Sequence, residues 1–351
     1  KSAYDGYALR QADTAAASPE HPVTLDVTEV IPAGSVPTYP ITEGKAARIM
    51  TGAPVPEGAD AIIMHERTSF TENTVTLTAP VTSANIIPPG EDVAAGTLLV
   101  PKGKILTASD LALIAGQGIA EIGVYKKLSI GLISTGSELL NTGSPLEYGK
   151  IYNTNPYLLG GYIQKHHMTA NYLNTVSDDL DSLCWAVLEA LKTNDITTGG
   201  VSAGDFDYMP EVIRRIGGDL LFHRLKFKPG GAMLGAFKDG KVILGLSGNP
   251  GAAATGLLCV GFPFMRKLSG RSDITFSQTT AYLGVDFKKS SPVTRILKGH
   301  SDFKNGMLYF TPLSNQHNGS VSSMSDCDLL AIIPAGSKPL AAGDKLEVYI
   351  L

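Results

Sequence analysis

Residues 128–138 read LSIGLISTGSE, an apolar run that ends abruptly in hydroxyl groups, glycine and an acid. A continuous run of this kind followed at once by a turn is typical of a buried parallel strand. The later pattern predicts further elements in alternation: a helix over 155–167, a strand over 169–176, a helix through Leu191, a strand over 195–198 and a helix from Pro250 to about Leu268. Strands and helices that alternate with short connections predict a doubly wound α/β domain over residues 127–270.

Shorter β-rich runs lie on both sides of this domain. Before it, glycine and proline separate runs at Val23–Ile31, Ala46–Met50, Ala61–Met64 and Thr74–Leu77, which predicts a small, mainly β domain over residues 1–87. Residues 88–126 are expected to form a linker or helical segment, with a short helix at Ser109–Gly116 capped by Thr107 or Ser109. After it, five runs predict a C-terminal β domain over residues 271–351: Gln278–Phe287, Thr294–Lys298, Met307–Thr311, Leu329–Ile333 and Lys345–Leu351.

Composition excludes several classes of protein. The chain has 351 residues, 29 basic and 33 acidic side chains and a formal charge of -4, so it lacks the basic surface typical of nucleic-acid or anionic-membrane binding. No apolar run approaches the roughly 18–20 residues that span a bilayer, and no signal peptide opens the text, so a cytoplasmic protein is expected. The three cysteines form no CxxC pair and are expected to be reduced, and the pair His166-His167 is expected at the surface.

Three loops of the α/β domain are candidates for binding an anion, because ligands of open α/β sheets bind beyond the carboxyl ends of the strands. The candidates are hydroxyl-bearing residues, glycines, and the two residues at a predicted helix start. They are Ser134, Thr135 and Gly136 in the first loop; Gly199, Gly200, Ser202 and Gly204 in the second; and Ser247, Asn249 and Pro250 in the third. Asn249 is a candidate helix cap. Backbone N–H groups in such loops favour phosphate. Each loop alone is more often only a turn, and together they favour a ligand site.

Acids and cations supply a second signal. Seven acids lie in glycine-rich or turn-like contexts, and their oxygens suit Mg²⁺ bound to phosphate: Asp5, Asp92, Glu138, Asp178, Asp179, Asp205 and Asp207. For Asp178 and Asp179, which precede a helix, a capping role is the favoured alternative. If residues 224–228 form one extended strand, Arg224, Lys226 and Lys228 share a face that attracts an anion, with a solvated edge strand as the equal alternative.

With these residues in view, the chain resembles the molybdopterin molybdenumtransferase family, which includes the bacterial MoeA proteins and the E domain of gephyrin. Seven motifs carry the resemblance in family order: Ser2–Ala8 (SAYDGYA, with Tyr4 in place of the usual methionine), Ile49–Ile62, Gly90–Asp92, Ser134–Leu139, Ile151–Asn155, Gly199–Tyr208 and Gly248–Pro250. They span nearly the whole chain.

The resemblance implies a fold and an assembly. A complete member has an elongated helical domain, an inserted β domain, a molybdopterin-binding α/β domain and a C-terminal β-barrel-like domain. The fold expected here is therefore α/β plus β, with a three-layer α/β domain. The resemblance also implies a homodimer, with the cleft between the α/β domain of one subunit and the β domain of the other. A molybdopterin adenylyltransferase is a possible partner. Because the sequence starts at Lys1, directly before the motif Ser2–Ala8, we expect an upstream helical segment to be missing.

The function implied by the resemblance is the insertion of molybdate into adenylylated molybdopterin, assisted by Mg²⁺ and accompanied by release of AMP. The implied catalytic residues are Asp5, Thr51, Asp92, Asp178, Asp207 and Lys228. The implied metal ligands are Glu138, Asp179 and Asp207, and Arg295 and Asn318 join the three loops in binding substrate.

The sequence departs from the family pattern at three places. The usual K-P-G-K-P run is Lys228-Pro229-Gly230-Gly231-Ala232 here, which lacks one lysine and one proline. Ser247 replaces a common proline, and Asn318 replaces a serine. Loss of a cation is expected to weaken the attraction of an oxyanion.

Two other functions compete with the transferase. A paralogue that binds the pterin as a carrier or scaffold would retain the pocket but release no AMP. An enzyme related to the competence-damage-inducible nucleotide-processing proteins would account for the α/β loops, but it leaves the Asp5 motif, the Thr51 motif and the C-terminal β domain unexplained.

Overall fold

The computed structural model describes residues 1–201 and 208–351, with the backbone alone described for 197–201. The described chain forms two compact units, Lys1–Leu98 and Leu99–Leu351.

The first unit is built on one sheet of six strands in the order β4-β1-β3-β2-β6-β5. Its elements are β1 (Gly6–Leu9), α1 (Gln11–Thr14), β2 (Val23–Ile31), β3 (Lys45–Ile49), β4 (Ala61–Met64), a 3-10 turn (His65–Arg67), β5 (Ser69–Phe70) and β6 (Thr74–Leu77). Two apolar clusters pack on it, one around Tyr7 and Leu25 and the other around Ile31 and Ile49. The prediction of a mainly β fold for this region is confirmed.

The second unit begins with an α/β sheet and its helices. Its elements up to the last of these helices are α2 (Ala108–Gly116), β7 (Ser129–Thr135), β8 (Leu139–Leu140), β9 (Ile151–Tyr152), α3 (Asn155–Lys165), β10 (Thr169–Val176), α4 (Leu180–Thr193), β11 (Ile196–Val201), α5 (Met209–Arg215), β12 (Asp219–His223), β13 (Phe227–Lys228), β14 (Leu234–Lys238), β15 (Lys241–Ser247), α6 (Pro250–Gly256), a π turn (Leu257–Gly261) and α7 (Phe262–Leu268).

The order of the α/β sheet is β10-β7-β11-β15-β14-β12, and its first four strands are parallel. Alternate residues of each strand point to opposite faces, which creates two cores. Leu132 and Leu244 pack with α3, α6 and α7, whereas their neighbours Ile133 and Ile243 pack with α4 and α5. The predicted doubly wound, three-layer arrangement is therefore confirmed, and it brings the carboxyl ends of the four parallel strands to one edge.

The remaining strands close a barrel. They are β16 (Gln278–Leu283), β17 (Thr294–Lys304), β18 (Met307–Pro312), β19 (Leu329–Ile333) and β20 (Lys345–Ile350), with a 3-10 turn at Ser322–Met324. Pairing of β17 with both β18 and β19 closes the five strands, and β13 pairs with the edge of β17. Ile296 and Leu330 face outward into a core shared with α6 and α7, so the barrel packs directly against the α/β layer.

Four local predictions are decided by the structure. Thr107 caps α2 through a reciprocal bond with Asp110, as predicted. The extended strand through Arg224, Lys226 and Lys228 is wrong, because Arg224 has a φ of +66° and its N–H donates to Met233, which turns the chain. The surface placement of His166 is also wrong: its ring packs edge-on to Phe262 and Phe276, with centroid distances of 4.4 and 5.2 Å. The three cysteines are free thiols.

Within residues 1–201 and 208–351, no helix combines the length and the apolar composition that crossing a membrane requires.

Candidate active site

A cleft of about 890 Å³ opens at the carboxyl edge of the parallel strands. Its lining includes the loops after β7 and β10, the start of α3, the start of α5, the segment between β15 and α6, and a loop of the barrel that contributes Gly319 and Val321. Parallel strands end at this edge, so their loops converge there. Seven of the predicted site residues line it: Ser134, Thr135, Glu138, Asp178, Ser247, Asn249 and Pro250.

The loop after β7 is held in a fixed shape by backbone contacts. Gly136 has a φ of +145°, and its N–H donates to the carbonyl of Val176 at the end of β10. A Cβ at Gly136 would lie 2.6 Å from Oε2 of Glu138, so the carboxylate folds over a position that only glycine can occupy. Lys150 donates to the carbonyl of Ser137 at 2.6 Å, which ties the loop to the segment before β9. Glu138 itself lines the cleft.

The two neighbouring acids after β10 have different roles. Asp178 lines the cleft. Asp179 caps α4, since its Oδ1 accepts from the Ser182 N–H at 2.9 Å and its Oδ2 accepts from the Ser177 hydroxyl. These hydrogen bonds, led by that from Ser177, lower the pKa of Asp179 to about 2. The structure thus distinguishes the pair: Asp179 caps α4, and Asp178 lines the cleft.

The third loop leads into α6, but not as the sequence predicted. The Asn249 side chain makes no capping bond. Instead, the backbone carbonyl of Asn318, from the barrel, accepts from the N–H groups of Gly251 and Ala252 at 2.8 and 3.3 Å. The prediction that Asn249 caps this helix is therefore wrong, and two donors at the helix start are already engaged. Asn318 thus contacts this helix through its main chain and not through its side chain. The Ser247 hydroxyl accepts the Asn249 N–H at 3.3 Å.

Asn155, at the start of α3, was part of a recognised motif but was assigned no role by sequence reasoning. Its Nδ2 donates to the carbonyl of Gly248 at 2.9 Å, which links α3 to the third loop across the cleft edge. Its Oδ1 is buried and has no hydrogen-bond partner. Buried acceptors without a partner are uncommon in folded proteins. One feature of the sequence could have indicated a role for Asn155: it ends a polar motif and is the first residue of a helix.

The two predicted cations are paired with each other, and neither is among the residues that line the cleft. Lys228 of β13 is the register partner of Arg295 in β17, and residues paired in this way project to the same face of a sheet. Arg295 also donates to the Ser291 hydroxyl at 3.3 Å, and its guanidinium lies 5.9 Å from the Phe287 ring centroid. A pair of cations on one face provides a local positive potential that could attract an oxyanion.

The missing family lysine at position 231 has a steric explanation. A Cβ on Gly231 would lie 2.3 Å from the carbonyl oxygen of Phe227 and 2.4 Å from that of Leu225. No side chain fits this turn without moving the backbone, so glycine is required by the turn that this chain adopts.

In the first unit, the Asp5 and Thr51 motifs converge. Both the backbone N–H and the hydroxyl of Thr51 donate to Oδ1 of Asp5, at 2.7 and 2.8 Å. These two bonds, with weaker contributions from His65 and Arg48, hold the pKa of Asp5 below its usual value. Asp92 is exposed in the segment after the sheet.

The second loop is described only up to Val201. The backbones of Gly199 and Gly200 lie in register with Gly245 and Leu246 of β15. Ser202, Gly204, Asp205 and Asp207 lie outside the described residues. Among the described residues, no group of three or more His, Cys, Asp and Glu side chains is arranged to hold a metal.

Comparison with known proteins assigns the chain to a family. It is 35% identical over 353 residues to the molybdopterin molybdenumtransferase of Staphylococcus aureus strain MRSA252, covering 100% of this chain and 84% of that protein. It is 37% identical over 358 residues to the protein of the same name from Bacillus subtilis strain 168, covering 100% and 83%. The chain belongs to the molybdopterin molybdenumtransferase family.

Three family descriptions match this family member in sequence order. They are "MoeA N-terminal region (domain I and II)" over residues 1–118, "Probable molybdopterin binding domain" over 131–267 and "MoeA C-terminal region (domain IV)" over 280–351. The crystal structure of the molybdopterin biosynthesis MoeA protein from Pyrococcus horikoshii shares the fold, with a TM-score of 0.86 at 28% identity over 99% of this chain and 86% of that one. Most residues that line the cleft lie within residues 131–267, the range matched by the second description.

Proposed function

We propose that this member of the family catalyses the insertion of molybdate into adenylylated molybdopterin with release of AMP, a step of molybdenum cofactor biosynthesis. The observation that carries the proposal is the cleft at the carboxyl edge of the α/β sheet, where loops with hydroxyls and carboxylates meet. Its volume of about 890 Å³ is within the range of sites for cofactor-sized ligands. Its aromatic lining residues, Tyr152 and Tyr208, suit a flat pterin ring.

The cleft residues have separate tasks in this proposal. Ser134 and Thr135 offer hydroxyls to the phosphate of the substrate, and the Asn155 amide orients the ligand through its free acceptor. The predicted loop through Ser202 and Gly204 would add backbone donors. Together these groups bind and orient the substrate, so that its reacting end is fixed before chemistry begins.

The carboxylates Glu138 and Asp178 would hold Mg²⁺, with Asp207 as the predicted third acid. Oxygen donors of this type fit Mg²⁺, which is commonly bound by one or two carboxylates together with substrate phosphates and water. The bound ion would supply neutralisation of phosphate charge. Without it, the two carboxylates in the cleft would repel an anionic substrate, so their presence beside a phosphate site supports the proposal.

The remaining predicted residues have two proposed roles, which are binding molybdate and completing the site in a homodimer. Lys228 and Arg295 are proposed to attract the molybdate dianion. Asp5 and Thr51 are proposed to complete the site from the β unit of a second subunit in a homodimer, with Asp92 nearby. A molybdopterin adenylyltransferase would then deliver the substrate, and a cytoplasmic location follows from this role. The carrier alternative is less favoured, since the curated relatives are named as transferases.

The test is AMP release by the purified protein with adenylylated molybdopterin, molybdate and Mg²⁺. We expect turnover that needs all three components and stops on addition of a chelator. A protein that binds the pterin tightly yet releases no AMP would support the carrier function instead. Sedimentation at several protein concentrations tests the homodimer independently of turnover.

A further inference from the structure

A second cavity, of about 560 Å³, lies in the second unit. Its walls come from the end of α3, from α7, from the segment 272–277 that leads into the barrel, from the start of β16 and from the end of β20. Among the described residues, none lines both this cavity and the cleft. The cavity therefore lies at the joint between the α/β layer and the barrel, and its volume is within the range of small-molecule sites.

Arg266 of α7 is the buried cation of this cavity, with only 5% of its surface exposed. Its Nη1 donates to the carbonyl of Thr275 at 2.7 Å, and its guanidinium lies 4.3 Å from the Phe276 ring centroid. Its Nη2 lies 3.4 Å from Nδ1 of His166, and its Nε is buried without a hydrogen-bond partner. One firm hydrogen bond and one long contact leave most of the five guanidinium donors unsatisfied.

The charges around the cavity do not balance. No carboxylate of the described residues forms an ion pair with Arg266 or Lys165, although buried charges are usually paired. The acid in the wall, Asp273, is already bound by Arg271, whose Nε donates to it at 2.8 Å. Burial lowers the pKa of His166 to about 4, so its ring adds no charge at neutral pH. Two cations therefore lack an anionic partner, one of them buried and one exposed.

We propose that this cavity is a second anion site, which binds a small phosphate-bearing molecule against Arg266 and Lys165. Guanidinium groups bind phosphate through two parallel N–H donors, and the edge formed by Nε and Nη2 is the one without a firm partner. The phosphate replaces the long contact with His166. Two cations match the roughly two negative charges of a phosphomonoester. Ser277 and Gln278 line the same cavity and supply donors for the other oxygens.

The test measures binding of inorganic phosphate by calorimetry at neutral pH and constant ionic strength. We expect Arg266→Leu to weaken phosphate binding about tenfold or more and Lys165→Gln about threefold, because the buried cation is less screened than the exposed one. The matched control is Lys267→Gln, which removes an exposed cation next to Arg266 that does not line the cavity. It should bind phosphate as the parent protein does. Acetate, with a single charge, should bind more weakly than phosphate.

Amide hydrogen exchange distinguishes this cavity from the cleft. Phosphate should slow exchange over residues 271–278 in the parent protein and have less effect there in Lys165→Gln, which is a surface substitution and remains informative if Arg266→Leu fails to fold. Protection over residues 134–138 alone, with unchanged affinity in Lys165→Gln, would place the phosphate in the cleft and contradict the proposal. Equal affinity for acetate and phosphate, or no phosphate binding by the parent protein, would overturn it as well.

Discussion

Thr51 donates its backbone N–H and its hydroxyl to the same oxygen of Asp5, although the two residues are 46 positions apart. Two donors on one oxygen stabilise the ionised carboxylate, which agrees with the lowered pKa of Asp5. One oxygen of the carboxylate is thereby committed to Thr51. The two hydrogen bonds from Thr51 thus fix the orientation of the Asp5 carboxylate.

We expect Thr51→Val to lower kcat by about tenfold to a hundredfold, because the lost hydroxyl leaves the Asp5 carboxylate held by the backbone N–H alone and its orientation less fixed. Thr51→Ser keeps the donor and should retain most of the activity. Steady-state kinetics of AMP release checks both variants. Full activity in Thr51→Val would show that the hydroxyl hydrogen bond is not needed.

Asp178→Asn is expected to lower kcat at least tenfold and to raise the Mg²⁺ concentration needed for half-maximal activity, since a charged oxygen donor is lost from the cleft. Its neighbour provides the matched control. Asp179→Asn should retain activity and stability, because asparagine caps helices as well as aspartate does. A Mg²⁺ titration of each variant checks this. The reverse result, with Asp179→Asn the impaired variant, would reassign the metal ligand.

The difference between Asp178 and Asp179 marks the limit of sequence-based prediction for this protein. Local signals located the elements well: the strand at Thr169–Val176 and the Thr107 cap appear as predicted, because apolar periodicity and capping residues act over a few positions. Which of two adjacent acids caps a helix depends on a hydroxyl at Ser177 and on the exact start of α4. The sequence pattern cannot show which of two adjacent acids makes these hydrogen bonds.

Longer-range contacts were harder still. The Asn318 carbonyl meets the start of α6 from 67 residues away, and nothing local to Asn249 signals that its capping role has been taken. Buried Lys298 lies two positions after the apolar Ile296 in the same strand, and only the packed barrel shows that its ammonium donates to Ser323 and His317. Tertiary packing decided both cases.

Lys228→Ala should raise the molybdate concentration for half-maximal AMP release about tenfold, while the affinity for adenylylated pterin stays nearly unchanged. The reason is the pairing of Lys228 with Arg295, which concentrates positive charge on one face, so removing one cation weakens the attraction of a dianion. Lys289→Ala, which removes an exposed cation of the barrel, is the control for total charge. An unchanged molybdate response would remove Lys228 from the site.

Stability is expected to fall as the pH drops from about 6.5 to about 4, and His166 is the reason. Its ring is packed between Phe262 and Phe276, and its Nδ1 lies 3.4 Å from the Arg266 guanidinium. Desolvation, helped by the charges of Arg266, Lys165 and Arg271, lowers its pKa to about 4 from an ordinary 6.5.

The sign follows from proton binding. Between pH 6.5 and 4 the unfolded chain takes up a proton at His166 that the folded chain resists, so the free energy of unfolding decreases as the pH falls. The upper limit of the effect is about 3.5 kcal/mol, since each pKa unit corresponds to about 1.4 kcal/mol, and the partial exposure of the ring reduces it. Urea unfolding at pH 7, 5.5 and 4.5 measures it.

His166→Gln keeps an acceptor for Arg266 but cannot titrate, so it should flatten this dependence even where its absolute stability is lower. The matched variant is His167→Asn, which removes the exposed neighbouring ring and tolerates its left-handed backbone with a φ of +62°. That variant should keep the dependence of the parent protein. If His166→Gln retained the full slope, the acid sensitivity would have to arise from carboxylates whose folded pKa is depressed, such as Asp110, at about 2, and the loss would then extend below pH 4.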